Sequence, residues 1–173
     1  MPIATAGQTI GPYWHLIEHP EFADLTRFGA DGLRMTLTGR LTDGDGAPVM
    51  DGCVELWQAS PAASDTFPGY GRAATDRDGV FRFTTIMPGP VPGPGNAQQA
   101  PHLAINLLMR GVLSRLVTRV YFPEEPLNET DPILSLIEDP ARRATLIARA
   151  TGRDTFHIDI RLQGEGETVF MEF

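Results

Sequence analysis

The stretch "LRMTLTGRL" (33–41), running directly into "TDGDGAPV" (42–49), decides the fold class. Its apolar residues alternate with polar ones at a spacing of two, which places the two sets on opposite faces of an extended strand. The Asp/Gly/Pro tail that follows has the chemistry of a turn. The same grammar recurs outward in both directions. "CVELWQA" (53–59) reads as a second strand, and "TDRDGVFRFTTI" (75–86) as a hairpin turning at Asp78-Gly79. "HLAINLLMR" (102–110) and "LVTRVYF" (116–122) supply two more strands around Gly111, and "DTFHIDIRLQG" (154–164) and "ETVFMEF" (167–173) are again strand-like.

Two segments break the pattern. "MPGPVPGPGNAQQA" (87–100) is a Pro/Gly loop, and "ILSLIEDPARRATLIARA" (133–150) changes period. There Leu134, Ile137, Leu146 and Ile147 suit one or two short helices broken at Pro140. Residues 1–30 read as an extended N-terminal arm with one short helix, and residues 31–173 as a single domain. Many short strands with turn punctuation predict a mainly β protein, an antiparallel β-sandwich with a short helical insert near 133–150.

Composition narrows the function classes. At 173 residues with a net charge of −8, the chain lacks the basic face that nucleic acid and anionic membranes require. All 14 basic residues are Arg, which removes Schiff-base lysine chemistry and the P-loop lysine. Cys53 is the single cysteine, so internal disulfides and cysteine zinc clusters are excluded, and its strand context reads as a buried thiol. No apolar run spans a bilayer, and the opening residues lack a basic start and an apolar core, so the expected location is cytoplasmic.

The residues by themselves show no self-contained catalytic set. His15 and His19 stand four apart, but Pro20 and the absence of acidic ligands in the Glu-His pattern weaken a metal reading. His157 reads as a cross-strand polar residue. Asp43, Asp45, Asp76 and Asp78 lie in Gly-rich turns that lack the ligand run of a calcium loop, so turn chemistry explains them. "GYGRAA" (69–74) has no helix pattern after it and fails as a nucleotide loop.

"QTIGPYWH" (8–15), "VELWQAS" (54–60), "GRAATDRDGVFRFTTIMPGP" (71–90), "APHLAINLLMRG" (100–111), "TRVYFPEE" (118–125), "DPILSLIEDPARRATLIAR" (131–149) and "FHIDIRLQGEGETVFMEF" (156–173) together resemble the intradiol ring-cleavage dioxygenases. The resemblance runs in order over nearly the whole chain. The opening and the ending are most similar to the chains that carry no iron in the family's two-chain members.

The iron-bearing chains of that family hold non-haem Fe(III) with two tyrosinates and two histidines, hard anionic oxygens beside neutral imidazoles. Matched to those positions, this sequence has Asp65 and Val91 for the tyrosines, and His102 and Ala104 for the His-X-His pair. Gln99 stands where the iron-bearing chains have an arginine. The resemblance therefore implies that this chain has no iron site, and that Fe(III) is bound by a partner beta subunit in a multimer of alpha-beta pairs. It implies a substrate-binding contribution from Thr9, Gly11, Pro12 and Tyr13 in the arm and from Arg119. The reaction implied is cleavage of 3,4-dihydroxybenzoate (protocatechuate) by O2. A second reading stays open: a non-catalytic β-sandwich binding or assembly module for a small aromatic.

Overall fold

The computed structural model describes residues 6–172. Ten strands follow two short 3₁₀ turns, Trp14–Ile17 and Pro20–Ala23. They are β1 (Arg34–Thr42), β2 (Cys53–Trp57), β3 (Tyr70–Ala74), β4 (Val80–Ile86), β5 (Val91–Pro92), β6 (Gln98–Gln99), β7 (His102–Leu108), β8 (Leu116–Tyr121), β9 (Arg149–Gly152) and β10 (Thr155–Arg161). One sheet has the order β4-β1-β10-β9, the second β3-β2-β7-β8, and β5 and β6 form a small ribbon beside them. The mainly β sandwich expected from the alternation is present. Every pair is antiparallel except β1–β10, which runs parallel. Among the described residues no helix is long and apolar enough to cross a membrane.

The alternation explains the core. Met35, Leu37 and Leu41 of β1, Phe81 and Phe83 of β4 and Ile158 and Ile160 of β10 turn inward from the first sheet. They meet Val54, Leu56, Leu103, Ile105, Leu107 and Val120 from the second. Gly39 interrupts the apolar set of β1 for a steric reason. It opposes Phe81, and a Cβ at this position would sit 2.1 Å from the Phe81 ring.

Three expectations need correction. The turn at Asp76–Gly79 forms, with Asp76 accepting from the backbone N–H of Asp78 and Val80 at 2.9 Å each, but it does not close a hairpin. Its flanking strands β3 and β4 belong to different sheets, so it is a corner between layers. The break expected at Pro140 falls just before it, after the 3₁₀ turn Leu134–Leu136, so that Pro140 starts the second helical piece. It is the first residue of α1 (Pro140–Ala144), where a missing N–H costs nothing, and the Asp139 carboxylate caps the turn at Ala141 N (2.8 Å). Arg149 and Ala150, assigned to the helical insert, already belong to β9. The described residues of "ETVFMEF", 167–172, contribute only an isolated bridge, Met171 to Val117, instead of a strand.

The segment from Pro126 to Ala148 folds back over one end of the second sheet. Tyr121 N donates to Leu146 O at 2.8 Å and Ala148 N to Tyr121 O at 2.9 Å. A small second core of Ala100, Tyr121, Leu134 and Leu146 forms there, outside the sandwich. This cover buries Tyr121 on the sheet's outer face, and the candidate site lies beside it.

Candidate functional site

Period-two alternation puts one row of side chains across the outer face of the second sheet. Tyr70 opposes Trp57, Trp57 opposes Ala104, and Ala104 opposes Arg119. The Trp57 and Tyr70 rings pack with centroids 4.4 Å apart, and Trp57 is 48% exposed. Gln58 points the other way. Its buried amide donates to Ser60 O (2.6 Å) and Ile86 O (2.7 Å) and accepts from Thr85 Oγ1 (2.7 Å), tying the two sheets together at this end.

Arg119 is half-buried and has no carboxylate within 4 Å among the described residues. Its Nη1 donates to Gln99 Oε1 at 2.7 Å and to Tyr121 Oη at 3.2 Å. Tyr121 donates onward to Asp131 Oδ1 at 3.2 Å. Asp131 is fully buried and also accepts from the backbone N–H of Ala100, Ile133 and Leu134 at 2.8–2.9 Å. Burial pushes the Tyr121 phenol up to about 12, against the lowering effect of the Arg119 cation, so it stays a neutral donor.

His102 opposes Tyr121, with ring centroids 5.5 Å apart. Its Nδ1 lies 2.7 Å from Ala100 O. A carbonyl only accepts, so Nδ1 carries the proton. Burial lowers the His102 pKa; the Ala100 hydrogen bond raises it, and the Arg119 cation lowers it further.

The ligand set implied by the family resemblance does not fit these residues. Val91, in β5, and Ala104 offer hydrocarbon only. Asp65 lies exposed in the loop between β2 and β3. The tyrosine beside His102 is Tyr121, held as a phenol by burial and by Asp131. Among the described residues no group of three or more His, Cys, Asp or Glu is placed to hold a metal ion. Gln99 pairs with Val91 across the β5–β6 ribbon and spends its amide on Arg119 and on Pro92 O (2.8 Å).

The arm residues form a separate group. Glu18 and Ile17 O receive Arg72 at 2.6 and 2.9 Å, and Gly7 lies against Leu113 in the β7–β8 turn, so the arm is anchored at two places on the second sheet. Thr9, Gly11, Pro12 and Tyr13 lie between these anchors. Gly11 takes φ +79, which a side chain would strain, and Tyr13 is 74% exposed while Trp14 is buried. No hydrogen bond among the described residues joins any of the four to Arg119.

The remaining sequence candidates resolve as structure. His15 and His19 fall on either side of a break between two 3₁₀ turns. Asp43 accepts from Asp45 N and Ala47 N, as turn chemistry requires. Cys53 is buried, and burial pushes its thiol to about 12. His157 bridges Thr38 (2.9 Å) on the neighbouring strand and Asp159 (3.1 Å). Tyr121 and Asp131 were not singled out from sequence as site residues. The alternation of "TRVY" places Tyr121 on the face of Arg119, and that is the signal that could have found it.

Comparison with known proteins gives the family and the fold. A family model described as "Dioxygenase" matches residues 15–164. The chain is 38% identical, over 98% of its length and 96% of the relative's, to the protocatechuate 3,4-dioxygenase alpha chain of Pseudomonas putida. It is 36% identical to the beta chain of the same enzyme from Burkholderia cepacia, over 79% of this chain and 67% of the relative. Among solved structures, the dioxygenase domain of a dioxygenase–carbohydrate-binding fusion from Streptomyces sp. SirexAA-E superposes with a TM-score of 0.63 at 27% identity, covering 94% of this chain and 97% of that one. By this family match and this identity, the chain belongs to the intradiol ring-cleavage dioxygenase family.

Proposed function

We propose that this chain is the alpha-type subunit of a protocatechuate 3,4-dioxygenase, which completes the substrate pocket of an iron-bearing beta subunit and carries no iron itself. Arg119, a half-buried cation with no carboxylate within 4 Å among the described residues, is the residue we assign to the substrate's carboxylate. A planar guanidinium suits the carboxylate of 3,4-dihydroxybenzoate. The observation that carries the alpha-type reading is the near end-to-end match to an alpha chain.

The overall reaction inserts both atoms of O2 and cleaves the ring between the two hydroxylated carbons, giving 3-carboxy-cis,cis-muconate. The partner's iron supplies the activation of the catechol toward O2. The contribution of this chain is orientation. Arg119 holds the carboxylate, fixing which way the ring enters, and the Gly11-Pro12 turn with Tyr13 gives a rigid wall to a flat ligand. Thr9 offers a hydroxyl on the same stretch.

The test is co-expression with and without the iron-bearing chain, followed by iron content and oxygen uptake with protocatechuate. Full turnover is expected from the pair, with little from either chain alone. Equal turnover by the beta chain alone would overturn the reading and leave this chain as an assembly module.

A further inference from the structure

The 3₁₀ turn Pro20–Ala23 packs on the edge strand β3, and beside this contact lies a cavity of about 170 Å³ lined by Phe22, Arg27, Tyr70, Gly71 and Arg72. Two guanidiniums flank the Phe22 ring, Arg27 at 5.9 Å and Arg72 at 5.4 Å from its centroid. Both have donors to spare. Arg72 gives Nε to Glu18 and Nη2 to Ile17 O, which leaves Nη1 without a hydrogen bond among the described residues. Arg27 gives Nη1 to Asp24 O at 2.8 Å, while its Nε and Nη2 make none. The Asp24 carboxylate is already taken by Thr26 N and Oγ1, and Arg27 has no carboxylate within 4 Å among the described residues.

The strand adds donors of its own. Gln58 N donates to Gly69 O and Thr75 N to Gly52 O, so by alternation Gly71 turns its backbone groups to β2. The N–H groups of Tyr70 and Arg72 then face the open edge of the sheet, where neither makes a hydrogen bond among the described residues. Size decides the class of ligand. A cavity of about 150 Å³ takes a benzene ring, whereas drug-sized ligands need roughly 300 Å³ or more. A bare phosphate would gain nothing from the Phe22 and Tyr70 rings, and a neutral ring would leave the Arg27 fork unused.

We propose that this cavity is a binding site for a single-ring aromatic monocarboxylate of the benzoate class, with its ring against Phe22 and its carboxylate on the Nε/Nη2 edge of Arg27. The test is calorimetric titration of the full chain with benzoate, acetate, benzyl alcohol and inorganic phosphate. Saturable binding of benzoate is expected, with acetate and benzyl alcohol each about tenfold weaker or more, since each lacks one half of the recognition. Arg27→Gln should weaken benzoate about tenfold or more at an unchanged unfolding midpoint, and Arg27→Lys should weaken it less. No benzoate binding, or equal binding by Arg27→Gln, overturns the site. Acetate or phosphate binding as tightly as benzoate overturns its aromatic class. Loss of benzoate in Arg119→Ala but not in Arg27→Gln would put the acid beside Ala104 instead, and the site at Phe22 would be wrong. Should Arg27→Gln fail to fold, Arg27→Lys decides, and undiminished benzoate binding by it would count against the site.

Discussion

Ala104 lies directly opposite Arg119 in the β7–β8 pair and directly opposite Trp57 in the β2–β7 pair. A single methyl group thus stands between an aromatic ring and a cation, at the place where the iron-bearing relatives are matched with a histidine.

Arg119→Ala in the assembled enzyme should weaken productive use of protocatechuate by roughly 1.5–3 kcal/mol, the usual worth of a hydrogen bond to a charged group. That is about ten- to a hundredfold in kcat/KM, with plain catechol affected much less. Lysine should rescue in part, keeping the charge and losing the planar fork. Steady-state kinetics with both substrates on an iron-loaded complex checks this, and an unchanged preference would count against it.

The chain purified alone should be colourless and bind no stoichiometric Fe(III). Ala104→His would add a second imidazole on the face of His102, yet without two anionic oxygens it should still show no tyrosinate-to-iron absorption band. Metal analysis and a visible spectrum of both proteins test this.

His102 predicts a pH dependence of stability. Its folded-state pKa lies below the ordinary 6.5, chiefly through burial. The unfolded chain therefore binds the proton more readily, and this contribution to stability is complete above pH 6.5 and lost as pH falls through 6.5 toward the folded pKa. His102→Asn, which can keep the donation to Ala100 O, should show a smaller loss of denaturation midpoint between neutral and mildly acidic pH. Parallel slopes for the two proteins would exclude His102 as the source.

Asp131→Ala should be among the most destabilising single changes in the chain. It would leave two buried and one partly buried backbone N–H groups and the Tyr121 hydroxyl without their acceptor, at a cost of about 3 kcal/mol or more. Denaturant unfolding measures the cost, and a loss below about 1 kcal/mol would mean that water replaces the carboxylate.

Without its partner the chain should self-associate. Tyr13, Leu16, Ile17 and Trp57 are exposed on the arm and on the outer face of the second sheet, a concentration of large apolar groups suited to a permanent interface. Sedimentation over a wide concentration range should show oligomers. A monodisperse monomer would argue that these side chains cover nothing.

The strands were legible because a half-buried sheet writes its two faces into the sequence, as Met35, Leu37 and Leu41 do. Turn chemistry at Asp43 and Asp76 was legible too, since it is satisfied within a few residues. What each turn connects was not. Asp78-Gly79 reads the same whether the next strand returns to its neighbour or crosses to the other sheet, and long-range pairing decides between them. Pro140 was legible as a boundary, because the ring that breaks a helix interior is well placed in its first turn. At the site, Arg119 could be singled out, but its surroundings could not. Whether Arg119 and Tyr121 face water depends on the docking of residues 126–148, and nothing near them in sequence records it.

The parallel pairing of β1 with β10 also sets a clock. Thr38 and His157 are adjacent in space and 119 residues apart in the chain. At ribosomal speeds of about 5–20 residues per second, β1 waits some 6–24 s for its neighbour to be made. Until then an apolar strand edge is open to any other chain. The first sheet is therefore completed late in synthesis, since β4 can cover only the other edge of β1 and leaves open the one that awaits β10.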